Sequence, residues 1–209
     1  MKVYIFGLNS LSRIIAQYIE KDDRYSIQGF TVGKEYYSQS EFIGYPIIPF
    51  ESIRDDANDV GVINCVGFSN QMRSRKEVSQ QIENSDLKLL TYVHPRAYIG
   101  DVGLGKGSVV MVNAVVETGS VVGEGCVLYG GSYISHDTRI GAYNWLSANC
   151  VLAGHVTVGD HCFIGINASV REHIVVGSYS VLGAGTVVVK NVPESVTVVG
   201  NPAHILIKE

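Results

Sequence analysis

Between Leu104 and Val188 the chain reads LGKGSV VMVNAV VETGSV VGEGCV LYGGSY ISHDTR IGAYNW LSANCV LAGHVT VGDHCF IGINAS VREHIV VGSYSV LGAGTV V. Every sixth residue, from Leu104 to Val188, is Val, Ile or Leu, at all fifteen positions. At a background of roughly three in ten for these types, chance gives such a run on the order of once in 10^8 trials. Four places after each aliphatic the side chain is usually small: Ser108, Ala114, Ser120, Cys126, Ser132, Thr138, Cys150, Cys162, Ala168, Ser180 and Thr186. Asn144 and Ile174 are the clearest exceptions. An aliphatic followed by a small residue on a strict period of six specifies a parallel β-helix. Each hexad forms one face of a triangular prism, so eighteen residues make a coil, and coils stack about 4.8 Å apart.

Working outward, the pattern starts near Ala97 with a one-residue slip between Ile99 and Leu104, and His94–Pro95 marks a junction. The rod's ends are open edges that need covering. The segment Glu194–Glu209 is expected to close one end and the first 93 residues the other. Those 93 residues alternate strand-like and helix-like runs. Strands are expected at 2–6, Tyr25–Val32, Gly44–Pro49, Val60–Val66 and Leu87–Val93. Helices are expected at Ser10–Lys21, capped by Asn9 or Ser10, at Glu51–Asp56 as a single turn, and at Asn70–Asn84. This alternation predicts a small α/β domain with a parallel sheet over 1–93, then a β-helix over 94–209.

The 209 residues are 46% hydrophobic and 17% charged, with no apolar run near the roughly 20 residues that span a bilayer. The opening MKVYIFG leads into a strand and lacks a signal-peptide pattern, which predicts a cytoplasmic protein. A net charge of −4 without a Lys/Arg block argues against nucleic acid as a partner. Cys126, Cys150 and Cys162 fall on the small position of the repeat and Cys65 in a strand-like run, so all four read as reduced packing residues.

The hexads, the segment ISHDTRIGAYNWLSANCVLAGHVTVGDHCFIGINASV and the ending VVGNPAH resemble the left-handed β-helix acyltransferases. An α/β domain ahead of the rod is similar to bacterial sugar acetyltransferases of the sialic-acid O-acetyltransferase and nucleotide-aminosugar N-acetyltransferase type. The resemblance implies a Rossmann-like first domain, acetyl-CoA as cosubstrate, no metal, a nucleotide-sugar acceptor, and a homotrimer with active sites between subunits. It also implies a role in surface polysaccharide assembly. It assigns the general base to His136 and its acidic support to Asp137. Acetyl-CoA would run along the rod past Gly154, Gly165, Ile166, Ala184 and Gly185, with Trp145 nearby and its far end near Gly200, Pro202 and Ala203. The chemistry agrees: an attacking amine or hydroxyl must lose a proton, imidazole titrates near neutrality, and a carboxylate orients it. Eighteen-residue steps place Gly154 above His136, and His155 and His173 above Asp137.

Three departures stand out. The first-domain turn reads Gly7-Leu8-Asn9-Ser10-Leu11-Ser12, with one glycine of the expected fingerprint. A helix N-terminus there still suits phosphate, so Gly7, Asn9 and Ser10, with Gly67, Asn70 and Arg75 after the third strand, are the candidate nucleotide-sugar contacts. Trp145 stands where some relatives have a histidine, in a column with Val109, Val127, Phe163 and Val181 that suits a subunit interface. His204 replaces a basic residue near the end. Two alternatives remain: a metal enzyme using His155, His161 and His173, as in carbonic anhydrases of this fold, and a non-catalytic scaffold.

Overall fold

The computed structural model describes residues 1–54 and 59–207. Of the expected helical turn Glu51–Asp56, residues 55 and 56 lie outside that range, and a 3-10 turn covers Phe50–Ser52. The chain forms two compact units. One comprises Met1–Ser69 and Ser74–Thr91, the other Asn70–Arg73 and Tyr92–Glu209.

In the first unit the strands are β1 (Lys2–Phe6), β2 (Ser26–Val32), β3 (Glu41–Phe42), β4 (Tyr45–Pro49), β5 (Val60–Asn64) and β6 (Lys88–Leu89). The helices are α1 (Ser10–Ile19) and α2 (Arg73–Glu83). The sheet order is β3-β4-β2-β1-β5-β6, parallel except for the β3–β4 pair. All five residues of β5, VGVIN, are buried, as a strand with a neighbour on each side requires. Asn9, not Ser10, caps α1: its Oδ1 accepts from the Ser12 N–H at 3.1 Å, and Ser12 Oγ accepts from the Asn9 N–H at 2.8 Å. The expected helix from Asn70 begins later, because Asn70, Gln71 and Met72 all take positive φ and Arg73 opens α2. The expected strand Leu87–Val93 is two strands. Lys88–Leu89 pairs with β5, whereas Tyr92–Val93 pairs with Val109–Val110 of the rod.

The second unit is a parallel β-helix of three sheets. The first face stacks Tyr92–Val93, Val109–Val110, Val127–Leu128, Trp145–Leu146, Phe163–Ile164, Val181–Leu182 and the cap strand Thr197–Val199. The second face runs from Tyr98–Ile99 through Tyr133–Ile134 to Val187–Val188, and the third from Gly103–Leu104 through Arg139–Ile140 to Val175–Val176. Parallel stacks on this hexapeptide period fit a left-handed β-helix. The aliphatic column forms one continuous core, and Val122, Leu128, Ile134, Leu146, Leu152 and Ile164 are at most 1% exposed. The slip falls where the sequence put it: Ile99 pairs seventeen residues on with Val116, but Leu104 pairs eighteen on with Val122. The exception Asn144 is accounted for by its amide, which donates to the Gly141 and Gly159 carbonyls at 2.8 Å each and accepts from the Cys162 N–H at 2.6 Å.

A second period of six emerges at the corners. Every sixth residue from Gly107 to Gly185 has positive φ: Gly107, Asn113, Gly119, Gly125, Gly131, Asp137, Tyr143, Asn149, His155, His161, Asn167, His173, Tyr179 and Gly185. Gly, Asn, Asp and His tolerate this conformation best, which explains the polar types there. Asp137, His155 and His173 thus share the corner between the second and third faces. Tyr143, His161 and Tyr179 share the corner between the third and first. Asn149, Asn167 and Gly185 share the corner between the first and second. Each corner is numbered after the face that precedes it, so these three corners are the second, third and first.

Candidate active site

His136 sits one residue before the left-handed position of the second corner. Its backbone is pinned from above, where the His155 N–H donates to its carbonyl at 3.2 Å. Its ring is fixed on two sides. Nδ1 and Asp137 Oδ2 are 2.9 Å apart, and a Cβ built on Gly154 would stand 2.7 Å from Cε1 and 2.8 Å from Nε2. The imidazole therefore rests where Gly154 has no side chain. A carboxylate at Nδ1 favours the tautomer that leaves Nε2 with a lone pair, the form a base needs. Both side chains stay over half exposed, at 55% for His136 and 53% for Asp137. The hydrogen bond from His136 holds the Asp137 carboxyl below the usual carboxylate range, with the charges of His155, His136 and Arg139 acting the same way. The His155 ring meets His136 edge-on at 5.2 Å, and His173 stacks on His155 at 4.8 Å.

Permissive corner backbone does not explain Gly154 or Gly165. Neither has positive φ; Gly185 does, at 68°. Close approach accounts for both instead, by the His136 ring at Gly154 and by Ala184 N and Leu182 O, each 2.6 Å from a Cβ at Gly165. Gly154, Gly165, Ile166, Ala184 and Gly185 do not share one line on the rod within a single chain. Gly154 is on the second corner with His136, whereas the other four are on the first. The reason is the period: eleven residues separate Gly154 from Gly165, nearly two faces and not a full coil. Trp145 lies on the first face, partly buried, its ring 5.1 Å from that of Tyr129. The apolar column around it is also less exposed than expected, because Val109 and Val127 are 0% accessible within the chain itself.

In the first unit, Gly7 lines a cleft of about 440 Å³ with Phe6, Val32, Glu35, Tyr36 and Ser69. The cleft sits beside the carboxyl ends of β1 and β2, next to the point where the strand order reverses. Ser10 is exposed at the start of α1, and a Cβ on Gly67 would meet nothing within 4 Å. Asn9 and Arg75 are occupied otherwise. The Asn9 amide caps α1 and donates to the Cys65 carbonyl at 2.9 Å. Arg75 is 0% exposed and donates to the carbonyls of Asn64 and Val66 at 2.6 and 3.1 Å, bracing the turn after β5. Asn70 belongs to the rod unit.

The set His155, His161 and His173 is not assembled in one chain. His161 is on another corner, its ring stacked with Tyr143 and Tyr179 at 5.6 and 5.0 Å, and its Nδ1 is 2.9 Å from the Gln71 carbonyl. Ligand atoms of His136, Asp137 and His155 do lie within 4.8 Å of one another. All four cysteines are free and buried; burial pushes the thiols of Cys65 and Cys150 up to about 12 and that of Cys162 to about 11.

A family model described as bacterial transferase hexapeptide (six repeats) matches residues 137–165 and 156–190. The acetyltransferase domain of PglB from Neisseria gonorrhoeae FA1090 is 28% identical, with a TM-score of 0.87 over 98% of this chain and 99% of that one. Residues 137–190 thus match the hexapeptide repeat, and nearly the whole chain is built like that acetyltransferase domain. That domain has also been solved in complex with acetyl coenzyme A. PerB from Caulobacter crescentus, in complex with CoA and GDP-perosamine, is 24% identical, with a TM-score of 0.85 over 99% of this chain and 97% of that one. WeeI from Acinetobacter baumannii AYE is 23% identical, with a TM-score of 0.87 over 99% of this chain and 100% of that one. Among the described residues no helix is long and apolar enough to cross a membrane.

Sequence reasoning passed over Glu117. Its carboxylate accepts from Tyr133 Oη at 2.5 Å, from Ser135 Oγ at 2.7 Å and from the His136 N–H at 3.0 Å. The eighteen-residue step that found Gly154 also runs downward from Ser135 to Glu117, so the signal was available.

Proposed function

We propose that the chain is an acetyl-CoA-dependent acetyltransferase acting on an amino group of a nucleotide-linked sugar, in the cytoplasmic assembly of a bacterial surface polysaccharide. One observation carries this reading: His136, oriented by Asp137 and seated on Gly154, on a chain similar throughout to an acetyltransferase domain solved with acetyl coenzyme A. The neutral amine nitrogen attacks the thioester carbon, and Nε2 of His136 takes the proton as the C–N bond forms. The tetrahedral adduct then collapses with loss of the CoA thiolate, which leaves with a proton. The developing oxyanion needs a donor, and we assign it the Gly154 N–H. No acyl-enzyme is required, and the buried, raised cysteines are poor nucleophiles.

We assign the first unit a Rossmann-like, nucleotide-binding role, with the pyrophosphate near Gly7 and the N-terminus of α1 and the base in the cleft beside Glu35 and Tyr36. The working form is a homotrimer. The two halves of the acetyl-CoA site occupy the corners that bound the second face, whose outer side presents Tyr98, Tyr133 and Val151 at 58, 37 and 40% exposure. Three copies with second faces toward a common axis bring the His136 corner of one protomer to the Gly165–Gly185 corner of the next. Trp145 and Phe163 then line the groove from outside the axis, and the second face replaces the Trp145 column as the expected interface.

The test is acetyl-CoA turnover with matched amino- and hydroxy-sugar nucleotides. We expect acetylation of an amino sugar, lost in His136→Ala, and a trimer by analytical ultracentrifugation that Val151→Glu dissociates. CoA binding with no acceptor turned over, or near wild-type rates in His136→Ala, overturns the reading.

A further inference from the structure

We propose that Glu117 is a positioning residue for His136, holding the base's corner from the coil below. The inference rests on the assignment of His136 as base. Corner residues in a β-helix are tied to neighbouring coils by backbone hydrogen bonds, as the His155 N–H is to the His136 carbonyl. At this corner the backbone tie from below is made by the Asp137 N–H, which donates to the Thr118 carbonyl at 3.2 Å, and the Glu117 carboxylate adds a second tie by accepting from the His136 N–H. The same carboxylate takes the hydroxyl of the preceding residue, Ser135, and that of Tyr133 two residues further back. Three consecutive attachments along Tyr133, Ser135 and His136 converge on one group.

Charge-assisted hydrogen bonds of this type are stronger and more directional than neutral ones. Those from Tyr133 and Ser135 hold the Glu117 carboxyl below the usual range, so the anchor stays ionised wherever the base is used. With Asp137 at Nδ1 and Gly154 against the ring, this leaves the imidazole little freedom except at the edge carrying Nε2. The arrangement is local to this coil. At the same corner one coil up, the residue equivalent to Glu117 is Ser135, and one coil further it is Ala153. Glu117 sits one coil below the base and touches its backbone, so the structure gives it no contact with the reacting atoms.

The experiment is a double-mutant cycle on the full-length protein, with steady-state kinetics and sedimentation for each variant. Glu117→Ala is expected to lower kcat about tenfold, in the range of an off-line reactive geometry. The KM for acetyl-CoA and the oligomeric state should stay unchanged. Glu117→Gln, which keeps an acceptor oxygen, is expected to recover much of the loss. In the His136→Ala background Glu117→Ala should cost nothing further, because a residue acting through the base has nothing left to position. The amide proton of His136 is expected to move upfield in Glu117→Ala. A Glu117→Ala enzyme with wild-type kcat overturns the proposal, as does an equal further loss in the His136→Ala background. Wild-type rates in His136→Ala itself instead overturn the base assignment, so the two failures are told apart.

Discussion

Two corners of one rod carry aromatic or imidazole rings on the same left-handed backbone position, and they differ in what faces those rings. On the second corner His155 and His173 stack at 4.8 Å above Asp137, and the neighbouring His136 is open to solvent. On the third corner Tyr143, His161 and Tyr179 stack in the same way, but Tyr143 and His161 are only 3 and 6% exposed. The guanidinium of Arg73 lies 5.7 Å over Tyr179, and the Gln71 carbonyl occupies His161 Nδ1. His155, His173 and His161 share the left-handed backbone and a ring spacing near 5 Å, at 4.8 and 5.0 Å, whereas His136 sits one residue earlier in its hexad. What differs is the partner of the imidazole: a carboxylate and open solvent at one corner, a backbone carbonyl and a covering segment at the other. His136 and His161 thus differ both in hexad register, one residue before the left-handed position and on it, and in what faces the ring.

The contrast can be broken most severely at the base. His136→Ala is expected to lower kcat by about 10²–10⁴, the usual worth of a positioned general base, with the fold and CoA affinity retained. Steady-state and binding measurements on the same preparation check this. Next, Gly154→Ala places a methyl within 3 Å of the imidazole, and we expect about a 10²-fold loss in kcat. Its circular dichroism should match wild type. Asp137→Asn keeps a residue suited to φ of 55° but removes the charge opposite Nδ1. We expect a loss of about tenfold in kcat/KM, smaller than for His136 itself. At the third corner the outcome should reverse. His161→Asn is expected to cost about 1–2 kcal/mol of stability through lost stacking and the Gln71 hydrogen bond, read as a lower Tm, with kcat within twofold. A larger kinetic than thermal effect there would dissolve the distinction between the corners.

The smallest effect concerns pH. Asp137 and Glu117 have carboxyls held below their ordinary values, so their contributions are fully present above the ordinary carboxylate range. They fade as pH falls through the lowered values. A Tm-against-pH series should show a slightly shallower acid decline in Asp137→Asn than in wild type.

Legibility followed how local the cause was. The aliphatic column, its slip at Ile99–Leu104 and the stacking of Gly154 over His136 are consequences of a fixed period, so counting along the chain recovers them. The partners of Arg75 and Asn9 were not legible, because their residue types suit a phosphate as well as a carbonyl, and only the fold turned them to the carbonyls of Asn64, Val66 and Cys65. The candidate acetyl-CoA residues were taken together from the resemblance, and the triangular section divides them between two corners of one chain.

The sequence by itself determined the rod, its coil length and the vertical neighbours of each residue, because a period of six leaves a stacked coil no other register that buries the aliphatics. The tertiary structure decided which imidazole is covered and which stays open. That depends on the segment Asn70–Arg73, which reaches the rod from elsewhere in the chain, and no spacing along the repeat encodes it.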